Sequence, residues 1–126
     1  MVKNFKCFPA VYALIKEIPK GQVASYGMIA SLVPGATARI VGFATAGTPA
    51  GQDIPWQRVV NSMGKVSDRD GAGHQRNRLL AEGVKFSPSG KISWDIYRWQ
   101  GPSDKWLSEV GMDPMDFLTI QAGWPK

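Results

Sequence analysis

The apolar positions of this chain fall into short helical stripes separated by Pro- and Gly-rich breaks. Val11, Leu14, Ile15 and Ile18 recur at i, i+3, i+4 and i+7, which predicts a helix from Phe8 to Ile18. Pro9 suits the first turn, where a missing amide hydrogen costs nothing, and Pro19-Lys20-Gly21 ends the element. Tyr26, Ile29, Ala30 and Val33 repeat the spacing, with Ser25 placed to cap the helix they define. After a turn at Pro34-Gly35, Thr37 caps a third helix predicted over 38–46. Ile40, Val41 and Ala44 should face inward there, and Gly47 should close it. Two short helices joined by a tight Gly-containing turn make a helix-turn-helix pattern, with Arg39 in the first turn of the second helix. Any two-helix hairpin with such a turn shares the pattern, so a purely structural hairpin stays open.

Past residue 58 the period changes from helical to alternating. Val59-Val60 and Lys65-Val66 predict a small hairpin turning near Ser62–Gly64. Val84 and Phe86, then Ile92 and Trp94, predict a second hairpin around Pro88-Ser89-Gly90. Between them lie a polar loop, Ser67-Asp68-Arg69-Asp70-Gly71, and a helix over 74–82 with Leu79 and Leu80 inward, Arg76 and Arg78 outward, and Gly83 as its stop. Ile96 to Trp99 closes this part, and Gly101-Pro102 reads as a boundary. Beyond it, helices are predicted over 104–110 and, from the Asp113 cap and Pro114, through Gln121. The expected fold class is α/β, mainly α, with a helix-turn-helix and small β-hairpins in one domain over 1–100. Residues 101–126 form a C-terminal extension that packs on it through Trp106, Phe117 and Trp124 or engages a protein partner.

Composition narrows the function. The chain has 126 residues, 44% apolar and 20% charged, which suits one globular domain. No apolar run is long enough to cross a membrane. Residues 1–6 lack the apolar stretch of a signal peptide, so a cytoplasmic location and no membrane partner are expected. Cys7 is the single cysteine and His74 the single histidine, which argues against an intramolecular disulfide or a zinc cluster; no metal and no cofactor are expected. The net charge of +5 is uneven. Residues 1–100 hold thirteen Lys and Arg against six Asp and Glu, while residues 101–126 hold two against four. A basic body suits a polyanion, most simply nucleic acid, although charge alone also fits a merely soluble surface.

One stretch, Ile54-Pro55-Trp56-Gln57-Arg58-Val59-Val60, changes weight once the others are in place. Alone, Trp56 reads as a core anchor held at the start of a strand by Pro55. Together with Ile18-Pro19-Lys20-Gly21-Gln22-Val23-Ala24-Ser25-Tyr26-Gly27, Ala38-Arg39-Ile40-Val41-Gly42 and Leu79-Leu80-Ala81-Glu82-Gly83, it resembles the DNA-binding domain of the O6-alkylguanine-DNA alkyltransferases, in order and at similar spacing over roughly residues 8–86. The family's alkyl acceptor is a cysteine in a Pro-Cys-His-Arg motif. Here Trp56 stands at the acceptor position and Gln57 at that of the activating histidine. The chain is therefore similar to the alkyltransferase-like proteins, which bind DNA and lack the transfer chemistry.

The resemblance implies a winged-helix-like DNA-binding domain over 1–100, with the β-hairpins as wings, and roles residue by residue. Tyr26 would crowd the phosphate 3′ of the target nucleotide and help rotate it outward. Arg39 would fill the vacated stack, where a guanidinium can bond the orphaned partner base. Ser25 and Thr37 would cap the two helices at the DNA, and Ala36, Ala38 and Gly42 would let the backbone approach the minor groove. Trp56, Arg69, Val66 and Ser67 would line a lesion pocket, Arg69 over or beside the purine unless it is a solvated loop arginine. Arg58 and Glu82 would be structural neighbours of that pocket. The implied function is a non-enzymatic sensor that binds duplex DNA containing O6-alkylguanine, flips the base, and flags it for nucleotide excision repair proteins, acting as a monomer. The rivals are a sequence-specific transcription regulator and a residual DNA-processing enzyme using Asp68, Asp70 or Glu82.

Overall fold

The computed structural model describes residues 5–49, 51–67 and 71–126. A 3-10 turn over Phe5–Cys7 leads into α1, Phe8–Ile15. This helix ends sooner than the predicted Ile18. The amides of Glu17 and Ile18 bond three residues back, to Leu14 and Ile15 at 2.9 and 3.0 Å, so the last turn tightens before Pro19 disfavours helix at its predecessor. Ile18 still joins Val11, Leu14 and Ile15 in the core.

The helix-turn-helix consists of α2, Tyr26–Ser31, and α3, Ala38–Ala46. Ser25 caps α2 by accepting from the Met28 amide at 3.0 Å, and Thr37 caps α3 by accepting from Ile40 at 3.2 Å. Val41 and Ala44 of α3, with Met28 and Ile29 of α2, close on the α1 stripe; Ile40 is half-buried at its edge. The Tyr12 hydroxyl donates to the Ala44 carbonyl at 2.8 Å and fixes α1 to the far end of α3. Burial there raises the pKa of this phenol.

The sheet is smaller than the alternation predicts. β1 (Ala24–Ser25) and β2 (Val59–Val60) pair in parallel, Ala24 with Val59 and Ser25 with Val60. The expected hairpin wings do not form as ladders among the described residues. Val59 and Val60 are buried on both faces, so they take an internal partner instead of an exposed hairpin arm. After β2 the chain makes a tight turn: Asn61 Oδ1 accepts from the amides of Met63 and Lys65 at 2.9 and 3.1 Å. The second hairpin reduces to a turn closed by Ser87 N–H donating to the Lys91 carbonyl at 2.8 Å, and Trp94 starts α5 (Trp94–Tyr97) where a strand was expected. The two turns pair with each other, Lys65 opposite Lys91 in an antiparallel bridge, with Ile92 N–H on the Gly64 carbonyl at 2.8 Å. Gly64 has φ +75°, and any Cβ there would run into the Ile92 carbonyl.

α4 covers Ala72–Ala81. Leu79 is buried, but Leu80 is 50% exposed, contrary to its expected inward orientation. The helix's other buried residue is Gln75, four positions before Leu79 and therefore on its face. The fold is thus mainly helical, with one two-strand sheet among the described residues.

α6 (Asp104–Val110) and α7 (Pro114–Gln121) begin at the caps Ser103 and Asp113. Trp124 stacks on Trp99 with centroids 5.8 Å apart, and its indole N–H donates to Ser31 Oγ at 3.0 Å. Phe117 meets Trp124 edge-on at 5.8 Å and lies over Gly101. The amide and hydroxyl of Ser103 both donate to Glu17 Oε1 at 3.1 Å. Trp106 is half-buried.

Candidate nucleic-acid interface

The parallel strand pair decides what lies near what. Ser25 ends β1 and caps α2, while Val59 comes directly after the 3-10 turn Trp56–Arg58. Pairing Ser25 with Val60 therefore joins the start of the helix-turn-helix to the Trp56 turn through two residues of sheet. Tyr26, the first residue of α2, is half-buried against the core. Thr37, Ala38 and Arg39 are exposed at the start of α3. The Arg39 guanidinium rests 5.5 Å above the Phe43 ring, one turn along the same helix. Gly42 leaves open space where a side chain would stand.

The turn itself is held from three sides. Trp56 N–H donates to the Ile54 carbonyl at 2.8 Å and Arg58 N–H to that of Pro55 at 3.0 Å. Gln75 Nε2 of α4 donates to the carbonyls of Gln57 and Val59 at 3.1 and 2.9 Å. Arg58 forks onto Glu82: Nε lies 3.0 Å from Oε1, a second nitrogen 2.9 Å from Oε2, and the third donates to the Ile18 carbonyl at 2.8 Å. Gln57 Nε2 donates to the same carboxylate at 2.9 Å. Burial pushes the Glu82 pKa up, but the bonds from Arg58 and Gln57, the Arg58 charge and the Gly21 amide outweigh it. The group is held below the ordinary glutamate value. Gln57 is only 3% exposed, and its Oε1 has no hydrogen-bond partner among the described residues.

Trp56 is half-buried, and α4 supplies its company. His74 lies 6.0 Å from the indole at 34°, and Arg78, one turn on, places its guanidinium 5.6 Å from the same ring. Val66 packs on the core and Ser67 is half-buried in the loop toward α4. Arg69, with Asp68 and Asp70, lies outside the described residues. Sequence reasoning misses the neighbours His74, Gln75 and Arg78. The spacing of His74 and Arg78, four apart, and of Gln75 and Leu79 carried the signal.

Residues 6–84 match the family described as 6-O-methylguanine DNA methyltransferase, DNA binding domain. The chain belongs to this family. Within it, the chain is similar to a DNA base-flipping protein of Vibrio parahaemolyticus, 46% identical over 71% of this chain and 92% of that protein. It is also similar to alkyltransferase-like protein 1 of Schizosaccharomyces pombe, 37% identical over 74% of this chain and 94% of the relative. The crystal structure of the S. pombe protein in complex with damaged DNA containing O6-carboxymethylguanine superimposes with a TM-score of 0.68 at 36% identity, covering 78% of this chain and 98% of that one. The family match stops at residue 84, so the Trp99–Phe117–Trp124 packing lies beyond it.

Proposed function

We propose that this family member is a DNA-damage sensor without transfer chemistry. It docks its helix-turn-helix in the minor groove of duplex DNA, extrudes O6-alkylguanine and holds the base against Trp56. The observation that carries this reading is the Pro55–Arg58 turn. Alkyl transfer needs a thiolate and a base to form it. The indole of Trp56 is a donor with no usable nucleophilic lone pair. Gln57 is not a base near neutral pH, and its amide is committed to Glu82. Cys7, the single thiol, is buried at the start of α1. Glu82 itself is engaged by Arg58, which removes it as a general acid or base. The names of the relatives and the damaged-DNA complex of one of them support binding and base flipping.

In this reading Tyr26 crowds the backbone at the lesion and Arg39 leaves Phe43 to fill the gap. The cap residues Ser25 and Thr37, with Ala38 and Gly42, set the helices against the groove. Val66 and Ser67 are assigned to the lesion pocket with Trp56, and so is Arg69, which lies outside the described residues. The protein acts as a cytoplasmic monomer, nucleoid-associated if bacterial, and the bent complex marks the lesion for nucleotide excision repair proteins. Titrating matched duplexes with guanine or O6-methylguanine tests recognition, and mass analysis of protein and DNA afterwards tests chemistry. Tighter binding of the alkylated duplex with both masses unchanged is expected. Equal affinity, or a mass change on either component, overturns the reading.

A further inference from the structure

The pairing of the two turns brings cations together that are far apart in sequence. Lys65 and Lys91 face each other across the bridge, Lys85 is exposed on the arm before the second turn, and the Arg76 guanidinium sits 5.7 Å over the ring of Phe86, the residue that follows Lys85 in sequence. No acid occurs between Asp53 and Asp68 or between Glu82 and Asp95. None of these four cations is in an ion pair among the described residues; the ion pairs there are Arg58–Glu82 and Lys105–Glu109. The ridge is also rigid for a pair of turns. Asn61 holds the first from inside, the Ser87 hydroxyl accepts from the Lys91 amide at 3.1 Å in the second, and Gly64 packs against Trp94. Ser62, Ser87 and Ser89 are exposed on the same two turns, the Ser87 and Ser89 hydroxyls bonded to each other at 2.9 Å.

We propose that this ridge of Lys65, Arg76, Lys85 and Lys91 is a second phosphate-binding surface, gripping the DNA backbone in addition to the helix-turn-helix. The proposal rests on the DNA-binding reading above. Four cations with no carboxylate partner among the described residues, on a pinned surface, suit a regular polyanion: each can replace a condensed counterion without first leaving an acid. The lysines carry point charges without base selectivity, so the ridge adds affinity equally to alkylated and unmodified duplex.

The test is the salt dependence of binding by wild type and by Lys85→Gln/Lys91→Gln, both exposed positions. Duplexes with and without O6-methylguanine are titrated between about 50 and 200 mM salt. Each lost phosphate contact lowers the slope of log affinity against log salt by about 0.9. The double variant should therefore be less steep by about 1.8, and its deficit against wild type should shrink roughly twelvefold across that fourfold range. The preference for the alkylated duplex should not change. Equal slopes overturn the ridge while leaving the sensor intact; a changed lesion preference also overturns it, because a phosphate contact cannot read the base. A wild type that ignores salt fails the DNA reading itself. The spare variant Lys65→Gln/Arg76→Gln should lose the same slope, which guards against a local fold change in the first pair.

Discussion

Replacing Glu82 with Gln should destabilise the protein by an amount that vanishes in acid. The carboxylate receives the Arg58 fork and the Gln57 amide, and the substitution removes its charge while keeping its shape. Breaking a fully buried pair by removing one partner costs roughly 3–5 kcal/mol. Here the side chains keep 17% and 11% of their exposure, and Arg58 retains its bond to the Ile18 carbonyl. Partial screening brings the expected cost to about 2–3 kcal/mol. With an unfolding entropy of about 2.1 cal/mol/K per residue, the 126 residues convert this to a Tm lower by roughly 8–11 °C. Because Glu82 is held below its ordinary 4.5, its stabilising contribution is complete above that value and is lost as pH falls through the folded pKa. The gap between wild type and variant in urea unfolding should therefore be constant from about pH 8 to 5 and close below about 4.5. A gap under about 0.5 kcal/mol that ignores pH would refute the ion pair's role and reduce it to an ordinary surface contact.

Trp56→Cys should yield little or no alkyl transfer in a mass assay, because the new thiol would have Gln57 beside it and a pKa near or above about 8.5; rapid stoichiometric alkylation contradicts this. Arg39→Ala should weaken binding to the alkylated duplex by roughly 1–3 kcal/mol, the scale of a good base contact, while the unfolding free energy stays within about 1 kcal/mol because the loss among the described residues is the Phe43 contact; unchanged affinity removes the finger role. Trp124→Ala should cost about 3–4 kcal/mol in urea unfolding, since it removes a buried ring from Trp99 and the bond to Ser31. A cost under about 1 kcal/mol would show that the extension is only loosely attached.

Helices with side-chain caps were legible at residue level. Thr37 and Gly47 bound α3, and Asp113-Pro114 starts α7, because a cap is a local bond between neighbours in sequence. The wings were not legible for the opposite reason. Alternation reports that Val59 and Val60 alternate faces or are buried, but not which strand they meet, and β1 lies 35 positions away from β2 in the register Ala24 to Val59. Leu80 failed because it falls off the Gln75–Leu79 face of α4, a face marked by a polar residue that a hydrophobic count overlooks. At the site, motif order proposes positions 26, 39 and 56 for DNA and lesion contacts, and it anticipates the pairing of Arg58 with Glu82 that the structure shows. The setting of Trp56 by His74 and Arg78 could not be read from that order, since it depends on how α4 meets the turn.

The Gln75 amide has a kinetic consequence. By spending both protons on the carbonyls either side of Arg58, it fastens the backbone beneath Trp56 to a helix, and no loop hinge is left at that point. In the proposed reading, in which Trp56 receives the base, the backbone that carries the ring is already held before a duplex arrives. Little ordering then has to be completed after encounter on this side of the pocket. The slow event becomes the unstacking of the nucleotide, a property of the duplex. On-rates should track how weakly the target base is paired, and differences between alkyl groups should show in how long the complex lasts.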